Sequence, residues 1–211
     1  MNIQTTNRLT AAETALIESY HTQLGDLPGD GDVMVARDRL LDDLKKAGLP
    51  TRRIESWHYT DLRSLLRSVP PAQAVSVLDT LTPVVSGSAI LPVLQGAAAN
   101  VSAPDGVEIR RYAESLQDGS AAPTLDACGE DDAIGRINGS FVRDGFAVVI
   151  GAGVELEAPL EIQALHGAGQ VHTRFPVTFG ASSKATVIER HASKTEEGAL
   201  VSTISELTLE D

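Results

Sequence analysis

The densest group of chemically able side chains lies between Arg52 and Tyr59, where two arginines, a glutamate, a tryptophan, a histidine and a tyrosine fall within eight positions. Such a mixture can bind a ligand or a partner through an Arg–carboxylate pair or a cation–π contact. It is equally typical of an ordered irregular segment that Trp57 and Tyr59 anchor, with Arg53 and Glu55 paired locally. Because no catalytic constellation stands near it, we interpret the segment as structural and keep partner binding as the functional alternative.

Side chains that could ligate a metal are sparse. Cys128 is the only cysteine, and the acidic residues that follow it oppose formation of a thiolate. One cysteine supports neither an intrachain disulfide framework nor a four-thiolate cluster site, and a reducing compartment suits it. His166, His172 and His191 lack a metal-binding spacing, so we expect solvated histidines. The sequence therefore predicts no catalytic residue, no metal ligand and no cofactor-binding residue.

Four glutamates in the second half of the chain suggest an alternative, a β-helix carbohydrate-active enzyme that uses paired carboxylates. We expect these side chains to lie on outward positions of separate strands, where charges are solvated: Glu155, Glu157, Glu161 and Glu189. Aromatic residues, which form sugar platforms, make up only 4% of the chain. No phosphate-binding loop, dinucleotide fingerprint or nucleophile–base motif occurs, so any ATP hydrolysis belongs to a partner.

The composition excludes several classes of protein. The net charge of −12 argues against a nucleic-acid partner and against anionic membranes. The sequence contains no run of about 18 apolar residues, so it predicts no membrane span. The N-terminus lacks the basic and apolar regions of a signal peptide. We therefore expect a soluble cytoplasmic protein.

The first 70 residues predict a helical domain. Thr10 and Glu13 form a capping box ahead of one amphipathic helix, with Leu16, Ile17, Tyr20 and Leu24 on one face. A second helix ends at Gly48, and the two helices should pack antiparallel. Thr60 is expected to cap a short third helix.

The rest of the chain predicts strands. Residues 71–125 indicate a mixed region of short strands and loops, with Val75 and Val77 among its apolar residues, a strand over Gly106–Ile109 and a helix from Tyr112 to Leu116. Residues 126–211 predict a junction helix over Ala133–Phe141 and then strands with period-two alternation.

Two architectures suit these alternating strands, an antiparallel sandwich or barrel and a parallel solenoid. The Gly-Ala-Gly and Ala-Pro corners change the chain's direction without reversing it. They favour an α+β fold with the first coils of a parallel β-helix, truncated at the C-terminus. Since the chain stops at Asp211 within an alternating strand, we expect a fragment of a longer protein or an end that docks on another subunit. An exposed last coil also predicts self-association.

Several segments resemble the SufD family. Leu49–Leu62 reads Leu-Pro-Thr-Arg-Arg-Ile-Glu-Ser-Trp-His-Tyr-Thr-Asp-Leu, which is similar to a family segment with leucine-proline-threonine, arginine, glutamate, tryptophan and tyrosine-threonine-aspartate in that order. Ile137–Phe141 with Asp144-Gly145 resembles the family's junction between helix and β-helix. Val154–Leu160 and Val187–His191 resemble its early coils.

The resemblance implies a scaffold subunit of the SUF iron–sulfur cluster assembly complex, tied to iron acquisition. It implies an N-terminal helical domain, a right-handed parallel β-helix and a C-terminal helical domain. In the full-length protein it implies pairing with the paralogue SufB and docking of the ATPase SufC on the C-terminal domain. An iron–sulfur cluster is expected only transiently, in the full complex. The chain covers about the first half of the family's length, and His58 stands where the family usually has a Lys or Arg.

Overall fold

The computed structural model describes residues 8–72 and 78–211. The helices within these ranges are α1 Ala11–Gln23, α2 Gly31–Ala47, α3 Leu62–Leu65, α4 Tyr112–Gln117 and α5 Ala133–Phe141. The strands are β1 Ala89–Leu94, β2 Ala97–Ala98, β3 Val107–Arg111, β4 Asp144–Ile150, β5 Leu160–His166, β6 Gly169–Phe179, β7 Val187–Ser193 and β8 Ala199–Leu209.

The N-terminal helices begin and end close to their predicted limits. The Thr10 hydroxyl accepts a hydrogen bond from the Glu13 N–H, and the Glu13 carboxylate accepts one from the Thr10 N–H, which confirms the capping box. Helix α2 ends at Gly48, whose φ of 70° is the left-handed conformation that favours glycine. Asp61, and not the predicted Thr60, caps α3, because its carboxylate accepts from the N–H of Ser64.

Helices α1 and α2 pack antiparallel, as predicted. Tyr20, near the end of α1, donates its hydroxyl proton to Asp38 in the middle of α2 at 2.9 Å. Glu13, near the start of α1, accepts from the N–H of Leu49 beyond the end of α2 at 2.7 Å. Leu24, predicted on the buried face of α1, instead lies in a 3₁₀ turn and is partly exposed.

The eight strands form two four-stranded sheets with the orders β2-β1-β5-β7 and β3-β4-β6-β8. From β4 onward, successive strands alternate between the sheets. The pairs β1–β5, β5–β7, β4–β6 and β6–β8 are parallel. The inner faces of the two sheets meet in a core that includes Leu91, Val93, Phe146, Val148, Ile150, Leu160, Ile162, Phe175 and Val177. This core is aliphatic with a few aromatic rings, in keeping with the composition.

The predicted right-handed parallel β-helix is wrong, because the described residues form two small mixed sheets. Gln95 and Gly96 have φ angles of 52° and 76°, and this turn brings β2 back antiparallel to β1. Strand β3 likewise pairs antiparallel with β4. The prediction rested on the corners after β4 alone, whereas β2 and β3, which precede β4, each pair antiparallel at the edge of a sheet.

Additional layers cover the outer faces of the sheets. Helix α5 packs on β6 and β8, so most of β6 is buried on both faces. The segment 81–84 crosses the other sheet, where the N–H groups of Leu81 and Val84 donate to Gln163 at 2.8 Å and to Glu161 at 2.7 Å. Glu161 is therefore fully buried, and its prediction as a solvated carboxylate is wrong.

The middle of the chain follows several predictions. β3 includes most of the predicted strand Gly106–Ile109, and α4 begins at Tyr112 as predicted. Val75 and Val77 lie outside the described residues. The division into residues 1–70, 71–125 and 126–211 stays a prediction. Among the described residues, no helix has both the length and the apolar character that crossing a bilayer requires.

Candidate functional site

The arginine- and aromatic-rich segment Arg52–Tyr59 is anchored through its indole ring. It forms turns around a short 3₁₀ helix over Glu55–Trp57. The Trp57 indole N–H donates to the carbonyl of Asp131 at 2.9 Å, and the Ser56 hydroxyl donates to the Asp131 carboxylate at 3.1 Å. These contacts join the segment to the loop before α5, which confirms the structural role predicted for Trp57.

Other side chains of this segment face solvent. Tyr59 is 91% exposed and touches the His58 ring edge-on at a centroid distance of 4.8 Å, so it does not anchor the segment. Arg52 and Arg53 are also exposed. Within the described ranges neither guanidinium has a hydrogen-bond or ion-pair partner, and the predicted pair between Arg53 and Glu55 is not formed. The segment thus presents two available cations and an aromatic ring.

An open groove of about 540 Å³ lies beside these arginines. Its lining includes Leu49, Thr51, Arg52, Arg53, Asp61 and Arg63. We call it the arginine groove.

Buried hydrogen bonds fix the floor of the arginine groove. The carboxylate of Glu13, only 2% exposed, accepts from the Leu49 N–H and lies 3.4 Å from the Arg63 guanidinium. Arg63 also donates to the carbonyl of Arg8 at 2.7 Å. Because Glu13 belongs to the capping box of α1, the groove is tied to the start of that helix.

A second open surface lies along β7 and β8. In the described part of the chain, each of these strands pairs on one side only, which leaves backbone N–H and C=O groups available along both edges. Leu207 and Leu209 align with Val177 and Phe179 of β6, which face the core, yet they are 67% and 75% exposed. We call this surface the open edge.

Polar side chains occupy core-facing positions beside the open edge. Glu189 and His191 align with Ile162 and Ala164 of β5, which are core residues. His191 Nε2 lies 2.5 Å from one carboxylate oxygen of Glu189, and the Ser205 hydroxyl donates to the other at 2.5 Å. The bond to His191 is the main reason why the pKa of Glu189 is lowered. Since the histidine and the serine both contact the carboxylate and not each other, this set does not activate a nucleophile.

A buried polar network that the sequence analysis missed joins α5 to the second sheet. The Asn138 amide donates to the carbonyls of Thr173 at 3.0 Å and Ser202 at 3.2 Å. Its oxygen accepts from Arg174 Nε at 2.8 Å. The sequence held a signal for this network. Arg174 lies on the face of β6 that points away from the core between the sheets, and a helix contacts that face when both faces of a sheet are covered.

His172 belongs to the same buried interface. Its Nδ1 lies 2.7 Å from the Ser202 hydroxyl, and its ring stacks on Phe141 at a centroid distance of 5.2 Å. Burial, with a smaller contribution from Arg143, lowers the pKa of His172 to about 3. The prediction of a solvated histidine is wrong here, and the ring is neutral at physiological pH.

The remaining candidates are dispersed. Cys128 is exposed. Glu155 is exposed and pairs with Lys184 at 3.4 Å, whereas Glu161 is buried under residues 81–84. His166 and His191 line the same small cavity between the sheets, but His172 faces α5. Within the described ranges, no three His, Cys, Asp or Glu residues form a group suited to a metal ion.

No protein-family model matches the chain, and no curated protein matches it significantly. Within residues 8–72 and 78–211, the arginine groove and the open edge both offer unpaired groups to a partner.

Proposed function

We propose that this chain is a non-catalytic scaffold subunit of the SUF iron–sulfur cluster assembly complex. It works in the cytoplasm with a SufB-like paralogue and a SufC-like ATPase, in cluster assembly and iron acquisition. In this proposal ATP hydrolysis belongs to the SufC-like subunit, and the cluster is held only transiently by the full complex. The resemblance of Leu49–Leu62 and Ile137–Phe141 to SufD segments supplies the identities of these partners.

The open edge is the observation that carries the scaffold role. Two neighbouring strands with free backbone groups favour recognition by strand addition, in which main-chain hydrogen bonds supply affinity and side-chain pockets supply specificity. Leu207 and Leu209 add apolar area, while Glu189, His191 and Ser205 add polar groups. A mixed surface of this kind is typical of interfaces that form after the subunits have folded.

The buried side chains of the junction support a structural role for α5. Asn138 and Arg174 hydrogen-bond to each other and to backbone carbonyls, and Arg174 also pairs with Glu206. These contacts hold the helix against the sheet. This network gives a physical reason for an asparagine after Ile137 in the SufD-like junction.

Co-purification tests the proposal. The tagged full-length protein is co-expressed with the SufB-like and SufC-like subunits of the same genome, and the captured proteins are identified by mass spectrometry. We expect both partners in stoichiometric amounts and ATP hydrolysis only when the SufC-like subunit is present. Capture of neither partner, ATP hydrolysis by the chain alone, or a stoichiometric cluster bound to the isolated chain would contradict the proposal.

A further inference from the structure

The arginine groove is basic in an acidic molecule, because its lining includes three arginines, Arg52, Arg53 and Arg63, and one acid, Asp61. The surrounding segment 45–67 holds six of the seventeen Lys and Arg residues but only two of the twenty-nine Asp and Glu residues. The rest of the chain is therefore more acidic than the net charge of −12 suggests. Cations concentrated beside one groove of an acidic protein raise the local concentration of anionic partners there.

The cations around the groove differ in their roles. Arg63 is held by the Glu13 carboxylate and the Arg8 carbonyl, so it helps to fix the groove. Arg52 and Arg53 are exposed, and no described residue pairs with either guanidinium. An arginine fork that is not already paired can bind a carboxylate through two parallel hydrogen bonds.

We propose that the arginine groove binds a short acidic segment of a partner protein, with carboxylates paired to Arg52 and Arg53. The volume of about 540 Å³ exceeds what a single carboxylate or phosphate fills. A long polyanion such as RNA would extend beyond the groove onto the rest of a molecule whose net charge is −12, which disfavours its binding. The exposed ring of Tyr59 in the same segment adds the kind of aromatic contact that protein interfaces favour.

Fluorescence anisotropy with labelled peptides tests this site. The probe is a fluorescein-labelled Glu-Leu-Glu-Glu-Leu-Glu peptide, and the same peptide with glutamine in place of glutamate is the neutral comparison. We expect the Arg52→Ala, Arg53→Ala double variant to bind the acidic probe about tenfold more weakly than the wild type, because two charge-assisted contacts are lost. The matched control is the Lys184→Ala, Lys194→Ala double variant, which removes the same charge from exposed positions elsewhere.

Each outcome decides the proposal. Selective loss in the arginine variant, with the control near wild type and weak binding of the glutamine peptide, supports it. Equal binding by all three proteins, or tighter binding of a labelled oligothymidine, overturns it. A concentration-dependent dimer that the arginine variant abolishes would also overturn the proposal, because a second copy of the chain would then occupy the arginine groove. Circular dichroism verifies that the variants fold. The test does not involve the open edge, so its failure leaves the scaffold proposal standing.

Discussion

Arg174 donates from Nε to the side-chain oxygen of Asn138 at 2.8 Å, although the two residues are 36 positions apart and both are buried. The same guanidinium donates to the carbonyls of Thr124 at 2.9 Å and Asp126 at 3.1 Å and pairs with Glu206 at 3.3 Å. One cation thus joins α5, the loop before it, β6 and β8. Leaving such a group without its partners is costly, since a buried unsatisfied charge loses its solvation without compensation.

Replacing Asn138 with leucine should destabilise the protein strongly. Leucine has a similar size but cannot accept from Arg174 or donate to the carbonyls of Thr173 and Ser202. We expect the free energy of unfolding to fall by about 3 kcal/mol, measured by urea denaturation. The exposed Asn100→Leu variant is the control and should stay within about 0.5 kcal/mol of wild type. A wild-type midpoint for Asn138→Leu would show that the network contributes little.

Arg37 should be intolerant even of a conservative change. It is completely buried in α2 and donates to four backbone carbonyls, three of them at or just beyond the end of α5. Burial lowers its pKa to about 10, so it is still charged near neutral pH. We expect the free energy of unfolding to fall by about 2 kcal/mol in Arg37→Lys and by about 3 kcal/mol in Arg37→Met, because the carbonyls that Arg37 contacts lose their donors.

Thermal and urea unfolding measure both Arg37 variants. The control is Arg39→Met on the exposed side of the same helix, where the ion pair with Asp126 is solvated and contributes little. Unfolding of Arg37→Lys at the wild-type midpoint would show that the stability of the protein does not depend on the several hydrogen bonds from Arg37 to carbonyls.

The buried His172 predicts acid sensitivity. Its pKa is about 3 in the folded protein and 6.5 ordinarily, so as the pH falls the unfolded chain takes up the proton first. The contribution of the neutral His172 ring to stability is therefore full above pH 6.5 and is lost progressively as the pH falls toward 3. We expect protonation of His172 in the unfolded chain to lower the free energy of unfolding by about 2 kcal/mol between pH 7 and pH 5.

Urea denaturation at the two pH values measures this loss in the wild type and in His172→Gln. Glutamine retains a hydrogen-bonding group near Ser202 but does not titrate, so the variant should lose less stability on acidification. Equal losses in the two proteins would mean that other groups cause the acid sensitivity.

The open edge predicts self-association of the isolated chain. Exposed apolar side chains on an edge strand, which pairs on one side only, favour pairing with a second copy. We expect sedimentation velocity to show a concentration-dependent dimer that the Leu207→Lys, Leu209→Lys double variant abolishes. The matched control, Val35→Lys with Val84→Lys, adds the same charges at exposed apolar positions elsewhere and should leave the dimer intact. A wild-type monomer at all concentrations would contradict this prediction.

The sequence predicted local structure well, because local signals determine it. The capping box at Thr10, the glycine at position 48 and the periodicity of Ala133–Phe141 each depend on residues within a few positions. The β-helix was wrong because strand direction depends on distant partners, and the turn at Gln95 and Gly96 was not recognised.

The candidate site was only partly predictable for the same reason. The segment around Trp57 was identified from its composition, but its contact with Asp131 lies 74 positions away. The burial of Glu161 under residues 81–84 and the network of Asn138 and Arg174 also join distant parts of the chain. The alternation of apolar and polar residues along a strand does not show whether another segment of the chain will cover its outward face.

Binding of the purified SufB-like paralogue to this protein, measured by size-exclusion chromatography with light scattering, tests the scaffold role most directly. We predict a stoichiometric complex with the wild type and with the Val35→Lys, Val84→Lys control, and its loss with Leu207→Lys, Leu209→Lys. Separate elution of the wild-type protein and the paralogue at all concentrations would contradict the proposed function, and an undiminished complex with the edge variant would contradict the role of the open edge.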